Sequence, residues 1–175
     1  SRTTFGVTRT TYDDLGRVST TTTSCTSSGT TGPSTPVCTG AGTPDASHNI
    51  VTTTSYDSAG NIVEVEAPDP AAGTGSTATV RTRYVYDGAG RLCRVIEGFT
   101  GSASGLTCTS SVSSSGADDN VSTRYIYDKA GNLVEAIDAM GISQEYGYDA
   151  LGRMLEREDG LDATETWTYD VRGNK

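Results

Sequence analysis

Near the middle of the chain stands the sequence Tyr86-Asp87-Gly88-Ala89-Gly90-Arg91-Leu92, and a shorter form of it recurs on both sides. The shared word is Tyr-Asp-x-x-Gly, which occurs six times, with its tyrosine at positions 12, 56, 86, 127, 148 and 169. Successive tyrosines are 44, 30, 41, 21 and 21 residues apart. The two shortest intervals define a repeating unit of 21 residues, and the longer intervals carry insertions.

Each word predicts a tight turn between two antiparallel strands. An Asp in this place accepts hydrogen bonds from backbone N–H groups two or three residues on, and a Gly three residues later adopts positive φ where the chain re-enters the ladder. This chemistry is typical of a hairpin with a bulge. The predicted turn-forming residues are Asp13, Gly16, Asp57, Gly60, Asp87, Gly90, Asp128, Gly131, Asp149, Gly152, Asp170 and Gly173.

Aromatic residues mark the strand that enters each turn. The tyrosines outside the words, and the single Trp, lie two positions before a word, and residues two apart on a strand share a face. Rings repeated so regularly favour packing between neighbouring strands over stacking on bound sugars, which is the alternative. The residues expected to pack in this way are Tyr12, Tyr56, Tyr84, Tyr86, Tyr125, Tyr127, Tyr146, Tyr148, Trp167 and Tyr169.

The composition favours strands and turns over helices. Of the 175 residues only 34% are hydrophobic, while 29 are Thr and 21 are Gly. Such a chain fits neither a large apolar core nor a charged disordered segment, and the hydroxyl-rich, β-branched content fits strands. We therefore expect an all-β fold.

The words and their surroundings resemble the RHS or YD-repeat family, whose bacterial RHS and teneurin-like members share the unit Tyr-Asp-x-x-Gly-Arg-Leu followed by Gly and a Tyr-x-Tyr-Asp return. Residues 86–92 match this unit fully, and essentially every other segment is a copy or an insertion. The resemblance implies stacked antiparallel hairpins in a repetitive β-sheet or solenoid. It also implies two roles: large members wind the sheet into hollow shells around a toxin, and animal relatives use it for adhesion at cell surfaces.

The whole chain, residues 1–175, is predicted to be a single array of about six repeats. Insertions rich in Ser, Thr, Gly and Pro fall at about 24–49, 67–78 and 98–119, between an outgoing strand and the next return strand. The chain begins without a Met or a leader, and its last hairpin lacks a return strand. We expect a fragment of a longer protein or the repeat unit of a fibre.

Four cysteines, Cys25, Cys38, Cys93 and Cys108, allow three disulfide pairings. The local pairing, 25 with 38 and 93 with 108, is favoured because each bond would close one of the long insertions into a loop. Closing a loop of that length is expected to stabilise the fold by about 3 kcal/mol. Disulfides indicate an extracellular or cell-surface location. The alternative, a zinc site of four thiolates, fits poorly because no Cys-x-x-Cys pair occurs and His48 adjoins no cysteine.

One sequon and the net charge bear on attached glycans and on polyanionic partners. Asn120-Val121-Ser122 is a candidate glycosylation site, with an unmodified polar loop as the alternative. The formal net charge of −9 disfavours nucleic acid and anionic membrane surfaces, and no segment has 18 consecutive apolar residues. We expect neither nucleic-acid binding nor membrane insertion.

No catalytic, metal or cofactor site is predicted. If each repeat contributes two strands, equivalent aspartates lie about 10 Å apart, too far to share one metal ion. Asp118 and Asp119 lack the spaced ligands of a calcium loop. The only histidine, His48, would have to serve any Ser-His-Asp mechanism, and no Gly-x-Ser-x-Gly elbow occurs.

The predicted function is a non-catalytic extracellular structural module that assembles head to tail into a fibre or surface array. Its expected partners are further copies or neighbouring repeats, joined through the end strands, since open sheet edges pair readily. One alternative is a wall segment of a toxin-enclosing shell. Another is an adhesion module that binds glycans or proteins through its insertions.

Overall fold

The structure is a computed structural model, which describes residues 3–4, 8–23, 26–27, 50–72, 76, 78–102, 104–112, 119–161 and 163–175. These residues form thirteen strands and no helix. The strands are β1 (Thr3–Thr4), β2 (Arg9–Tyr12), β3 (Val18–Thr23), β4 (Thr26–Ser27), β5 (Ile50–Tyr56), β6 (Ile62–Pro68), β7 (Thr79–Tyr86), β8 (Leu92–Glu97), β9 (Val121–Tyr127), β10 (Leu133–Ile137), β11 (Ser143–Tyr148), β12 (Met154–Glu158) and β13 (Thr164–Thr166).

Eleven of the strands form one antiparallel sheet, so the predicted all-β fold of successive hairpins is confirmed. The order across the sheet is the order along the chain, from β2 and β3 through β5 to β13, and the sheet is not closed. The two remaining strands, β1 and β4, pair with each other. Serial order of this kind follows when each strand turns back on the strand before it.

The chain divides into two compact units, of which the first contains residues 1–83 and 97–100. Within it, β2 pairs with β3, β3 with β5, and β5 with β6. The middle pairing aligns threonines across the two strands, with Thr20 opposite Thr53 and Thr21 opposite Thr52. β-Branched side chains facing each other across a ladder explain why so polar a segment forms strands.

The second compact unit contains residues 84–96 and 101–175. Within it, β9 to β13 form a continuous ladder of antiparallel pairs. The Tyr-Asp-x-x-Gly words form turns that we call YD turns, and the pairing register shifts by one residue beside them. For example, Tyr127 faces Leu133 but Ile126 faces Glu135, which leaves Val134 as an extra residue. The same shift occurs after Tyr12, Tyr56 and Tyr148. This is a bulge on the outgoing strand, next to the turn.

Few described side chains are fully buried. In the second unit the buried apolar residues are Val85, Cys93 and Ile96, of which Ile96 has no exposed surface. In the first unit Phe99 is buried and lies against the guanidinium of Arg81, 5.2 Å from the ring centre. Hydrogen bonding within the ladder and turns therefore carries much of the fold. The described residues include no helix long and apolar enough to span a bilayer.

Candidate functional site

The YD turn is a ring of hydrogen bonds closed by its Asp. At the first turn the Asp13 backbone N–H donates to the Arg17 carbonyl, and the Gly16 N–H donates to the Asp13 carbonyl. The carboxylate oxygen Oδ1 of Asp13 accepts from the backbone N–H groups of Leu15 and Arg17, at 2.9 and 2.8 Å. Equivalent backbone bonds recur at Asp57, Asp87, Asp128, Asp149 and Asp170.

The glycine that ends each word is held in the left-handed region, where φ is 78° at Gly90 and 96° at Gly131. A residue with a Cβ adopts this conformation only at a cost. Around Gly90 no atom lies within 4 Å of an added Cβ, so the backbone and not crowding requires the glycine there.

The residue after the glycine closes the turn from the side-chain end, and it alternates between Arg and Asn. In the Arg turns the Nε group donates to the Asp Oδ2, at 2.8 Å between Arg91 and Asp87. In the Asn turns the amide Nδ2 donates to the same atom, at 2.9 Å between Asn132 and Asp128. From the first word to the sixth the order is Arg17, Asn61, Arg91, Asn132, Arg153 and Asn174.

These bonds lower the pKa of all six YD aspartates below the ordinary 3.8. For Asp87 the largest cause is the backbone N–H of Arg91, whereas for Asp128 it is the side-chain amide of Asn132. Donors that bind the charged form favour ionisation. The carboxylates are thus committed to their own turns as ionised acceptors.

The Arg side chains also fasten one hairpin to the next. The Arg91 guanidinium lies over the ring of Tyr127, 4.6 Å from its centre, and NH1 donates to the Asp128 carbonyl at 3.1 Å. In return the Tyr127 hydroxyl donates to the carbonyl of Leu92 at 2.8 Å. We call this three-part contact the Arg–Tyr clasp: the ring contact, the Arg bond to the next Asp carbonyl, and the Tyr bond back to the first hairpin.

The clasp recurs in full at Arg17 and in part at Arg153. Arg17 lies 4.4 Å from the ring centre of Tyr56, whose hydroxyl donates to the Val18 carbonyl at 2.9 Å. The Arg17 NH1 group approaches the Asp57 carbonyl at 3.4 Å. Two of the three parts recur at Arg153, which lies 4.6 Å from the ring centre of Tyr169. The hydroxyl of that tyrosine donates to the Met154 carbonyl at 2.9 Å.

The Asn132 turn makes a different contact with the following hairpin. The side chain of Asn132 places Oδ1 3.4 Å from where a Cβ on Gly152 would lie, so it fits beside a glycine. In that hairpin, burial is the main cause that raises the pKa of Tyr148. Hairpins are therefore related in pairs, an Arg turn clasping the Asn turn after it. The sequence shows this alternation, but we drew no structural prediction from it.

The predicted aromatic residues are partly buried except for Tyr12, which is 63% exposed. Tyr12 lies on β2, the first strand of the large sheet, so no described hairpin precedes it to cover the ring. Trp167 has a different neighbour from the tyrosines, since the Lys175 ammonium lies 4.4 Å from its ring centre. Tyr146 donates its hydroxyl to the Gln144 side chain at 2.8 Å.

Two turns at the opposite ends of the hairpins use the same Asp chemistry and were not predicted. Oδ1 of Asp138 accepts from the backbone N–H groups of Met140 and Ile142, and Oδ1 of Asp159 accepts from those of Leu161 and Ala163. Both lack the preceding tyrosine that defined the word. The signal was present at 138–141, where the Asp-x-x-Gly spacing is that of the YD turns.

Cys93 and Cys108 form a disulfide, with their Cα atoms 5.4 Å apart. Arg94, beside it, donates Nε to the Ser122 hydroxyl at 2.7 Å and NH1 to the Ser110 carbonyl. These contacts hold the part of the insertion around Cys108 and Ser110 against β8 and β9. The other predicted pair, Cys25 and Cys38, lies outside the described residues, as do His48 and Asp118.

The candidate glycosylation residue Asn120 is only 8% exposed, and its φ is 56°. A glycan needs its asparagine at the surface, so this burial argues against attachment at Asn120 in the folded chain. Among the described residues, no three His, Cys, Asp or Glu side chains are grouped as a metal ion would require.

Comparison with known families gives one match within the regular part of the chain. A family model described as RHS Repeat matches residues 127–164, which contain the Asp128, Asp138, Asp149 and Asp159 turns. This segment is similar to the RHS repeat. The resemblance predicted from the YD words is thereby confirmed, and the module is a structural repeat. No curated protein matches the chain.

Solved structures of Tc toxin components are also similar to the chain, with low TM-scores and low sequence identities. The crystal structure of TcdB2-TccC3 without its hypervariable C-terminal region has a TM-score of 0.38 and 15% identity, and the match covers 95% of this chain and 9% of that one. The crystal structure of TcdB2-TccC3-TEV has a TM-score of 0.37 and 17% identity, with the same coverage of both chains. The structure of the Photorhabdus luminescens Tc holotoxin pore has a TM-score of 0.33 and 17% identity, and the match covers 93% of this chain and 9% of that one. The chain thus spans about a tenth of these structures' length.

Proposed function

We propose that the chain is a non-catalytic, extracellular structural module whose copies assemble head to tail into a fibre or surface array. The observation that carries the proposal is the Arg–Tyr clasp, which joins a hairpin to its neighbour through side chains and backbone carbonyls that every further repeat would supply. A contact that repeats along the chain can also repeat between chains.

The place where another copy would dock is the edge strand β2. Its Tyr12 ring is exposed, whereas the equivalent rings Tyr86 and Tyr148 are partly buried. An incoming hairpin of the Asn kind, such as the one at Asn174, would continue the alternation of Asn and Arg turns across the junction. Edge strands also offer unpaired backbone groups for such pairing.

The disulfide between Cys93 and Cys108 supports the proposed extracellular location. A disulfide persists in oxidising compartments. Further copies of the chain, rather than nucleic acid or membrane, are the proposed partners.

Electron microscopy of the unreduced protein, at increasing concentration, tests the proposal. We expect filaments whose repeat is set by about twelve strand spacings of ~4.8 Å, roughly 58 Å. Discrete hollow particles would favour the alternative role as a wall segment of a shell, and monodisperse monomers at every concentration would count against assembly through the edges.

A pair of variants locates the junction. Thr10→Lys places a charge on the exposed edge strand β2 and is expected to suppress elongation, because lysines on edges oppose strand addition. Ser58→Lys adds the same charge at an exposed turn and is expected to assemble like the unmodified chain. Equal assembly of both variants would exclude β2 as the docking edge.

A further inference from the structure

An open cavity of about 440 Å³ in the second unit contains two arginines. Arg94 enters it from β8 and Arg124 from β9, and the rest of the lining includes Ser122, Asp119 and Asp138. Arg94 is 95% buried by its relative exposure of 5%. A guanidinium so enclosed is unusual unless an acceptor compensates its charge.

The acceptors described for Arg94 are neutral. Its Nε donates to the Ser122 hydroxyl and its NH1 to the Ser110 carbonyl, which accounts for two of the five N–H donors of a guanidinium. Among the described residues, no carboxylate lies within ion-pair distance of Arg94 or Arg124. The two arginines therefore share the cavity without a described ion pair.

The lining also contains two carboxylates, Asp138 and Asp119. Oδ1 of Asp138 is committed to the N–H groups of Met140 and Ile142, and Asp119 makes an interaction of its own. Burial first, and the nearby charge of Arg124 second, lower the pKa of Arg94. A bound anion would relieve both effects, since it would supply charge and acceptors together.

We propose that Arg94 and Arg124 bind a small oxyanion, a single sulfate, phosphate or carboxylate group, in this cavity. The planar fork of a guanidinium matches the paired oxygens of such groups. The Ser122 hydroxyl, already oriented by Arg94, lies in the same lining. A net charge of −9 repels long polyanions, so the site suits one isolated anionic group.

The test is isothermal titration calorimetry of the full, unreduced chain with sodium sulfate at low ionic strength, with phosphate and glucuronate as parallel ligands. Saturable binding of at least one of them is expected. Preference for sulfate or phosphate identifies a tetrahedral oxyanion, and preference for glucuronate identifies a carboxylate. If none of the three binds saturably, the proposal is wrong.

Variants at Arg124 separate the site from general charge effects, because Arg94 also holds the insertion in place. Arg124→Gln is expected to weaken binding at least tenfold, and Arg124→Lys, which keeps the charge but not the fork, to weaken it less. Arg172→Gln removes the same charge from an exposed turn and is expected to bind as the unmodified chain does. Unchanged binding in Arg124→Gln, or an equal loss in Arg172→Gln, would overturn the proposal.

Thermal unfolding gives a second readout. Sulfate stabilises folded proteins in general by exclusion from their surface, so some rise of Tm over equal ionic strength of chloride is expected in every variant. The site predicts an additional rise in the unmodified chain that Arg124→Gln lacks. Circular dichroism establishes that each variant is folded, and Arg124→Lys carries the test if Arg124→Gln is not.

Discussion

The turns at Asp87 and Asp128 have the same backbone hydrogen bonds, and they differ in the residue after the glycine, which is Arg91 in one and Asn132 in the other. Both close the ring of bonds around the aspartate, and both place a glycine at positive φ. Arg91 continues past its own turn to cover Tyr127, whereas the Nδ2 of Asn132 binds Asp128 and its Oδ1 lies beside Gly152. The turn thus makes a hairpin, and the residue after its glycine determines how that hairpin is fastened to the next.

The clasped ring should be the most costly part to remove. Tyr127→Ala removes a partly buried ring, its bond to the Leu92 carbonyl and the surface under Arg91. We expect a loss of about 3 kcal/mol in the free energy of unfolding. Tyr12→Ala, at an exposed ring, is expected to change it by less than about 0.5 kcal/mol. Urea unfolding of both variants checks this, and equal losses would mean that the clasp contributes nothing special.

Replacing the residue after the glycine separates the contribution of the clasp from that of the turn. Arg91→Asn should keep the side-chain bond to Asp87, as Asn132 keeps its bond to Asp128, while removing the contact with Tyr127. We expect a loss of about 1.5 kcal/mol from the cation–π contact and one hydrogen bond. Arg172→Asn is the matched control, because that arginine is exposed at a turn tip. If Arg91→Asn is as stable as the control, the two kinds of turn are interchangeable.

Replacing the glycine should lower the free energy of unfolding by the same amount in both turns. Gly90→Ala and Gly131→Ala each force an alanine to positive φ, with an expected loss of about 1 kcal/mol. Gly88→Ala is the control, since Gly88 is not at positive φ and an added Cβ there meets nothing within 4 Å. A clearly larger loss at Gly131 than at Gly90 would show that the Arg91 NH1 group, 3.9 Å from the added Cβ, also matters.

The sequence predicts the hairpins well because their turns are encoded locally. Asp87 and Gly90 act through their own backbone neighbours, so their spacing is enough to place a turn and the strands on either side. Asp138 makes the same bonds with the same spacing to Gly141, but the Tyr-Asp pattern does not predict this turn because no tyrosine precedes the aspartate. The tyrosine belongs to packing between hairpins and is not needed for the turn.

The contacts between hairpins could not be predicted because they depend on which residues become neighbours across the sheet. Arg91 and Tyr127 are 36 positions apart, with an insertion between them, and nothing local indicates that they touch. Arg94 and Arg124 are a similar case, since the cavity that unites them forms only when β8 and β9 are in place. The exposure of Tyr12 likewise follows from its strand's place at the edge.

The smallest difference between the two kinds of turn is expected in their response to acid. The pKa is lowered in both, at Asp87 chiefly by the Arg91 backbone N–H and at Asp128 chiefly by the Asn132 amide. A carboxyl whose folded pKa lies below its unfolded value stabilises the fold at pH values above the unfolded pKa. This stabilisation is lost as the pH falls through the folded pKa. NMR titration of the side-chain carboxyl carbons should therefore give both groups a pKa below 3.8, with unfolding becoming easier below that pH. A value above 3.8 at Asp128 alone would show that an Asn turn depends less on its ionised carboxylate than an Arg turn does.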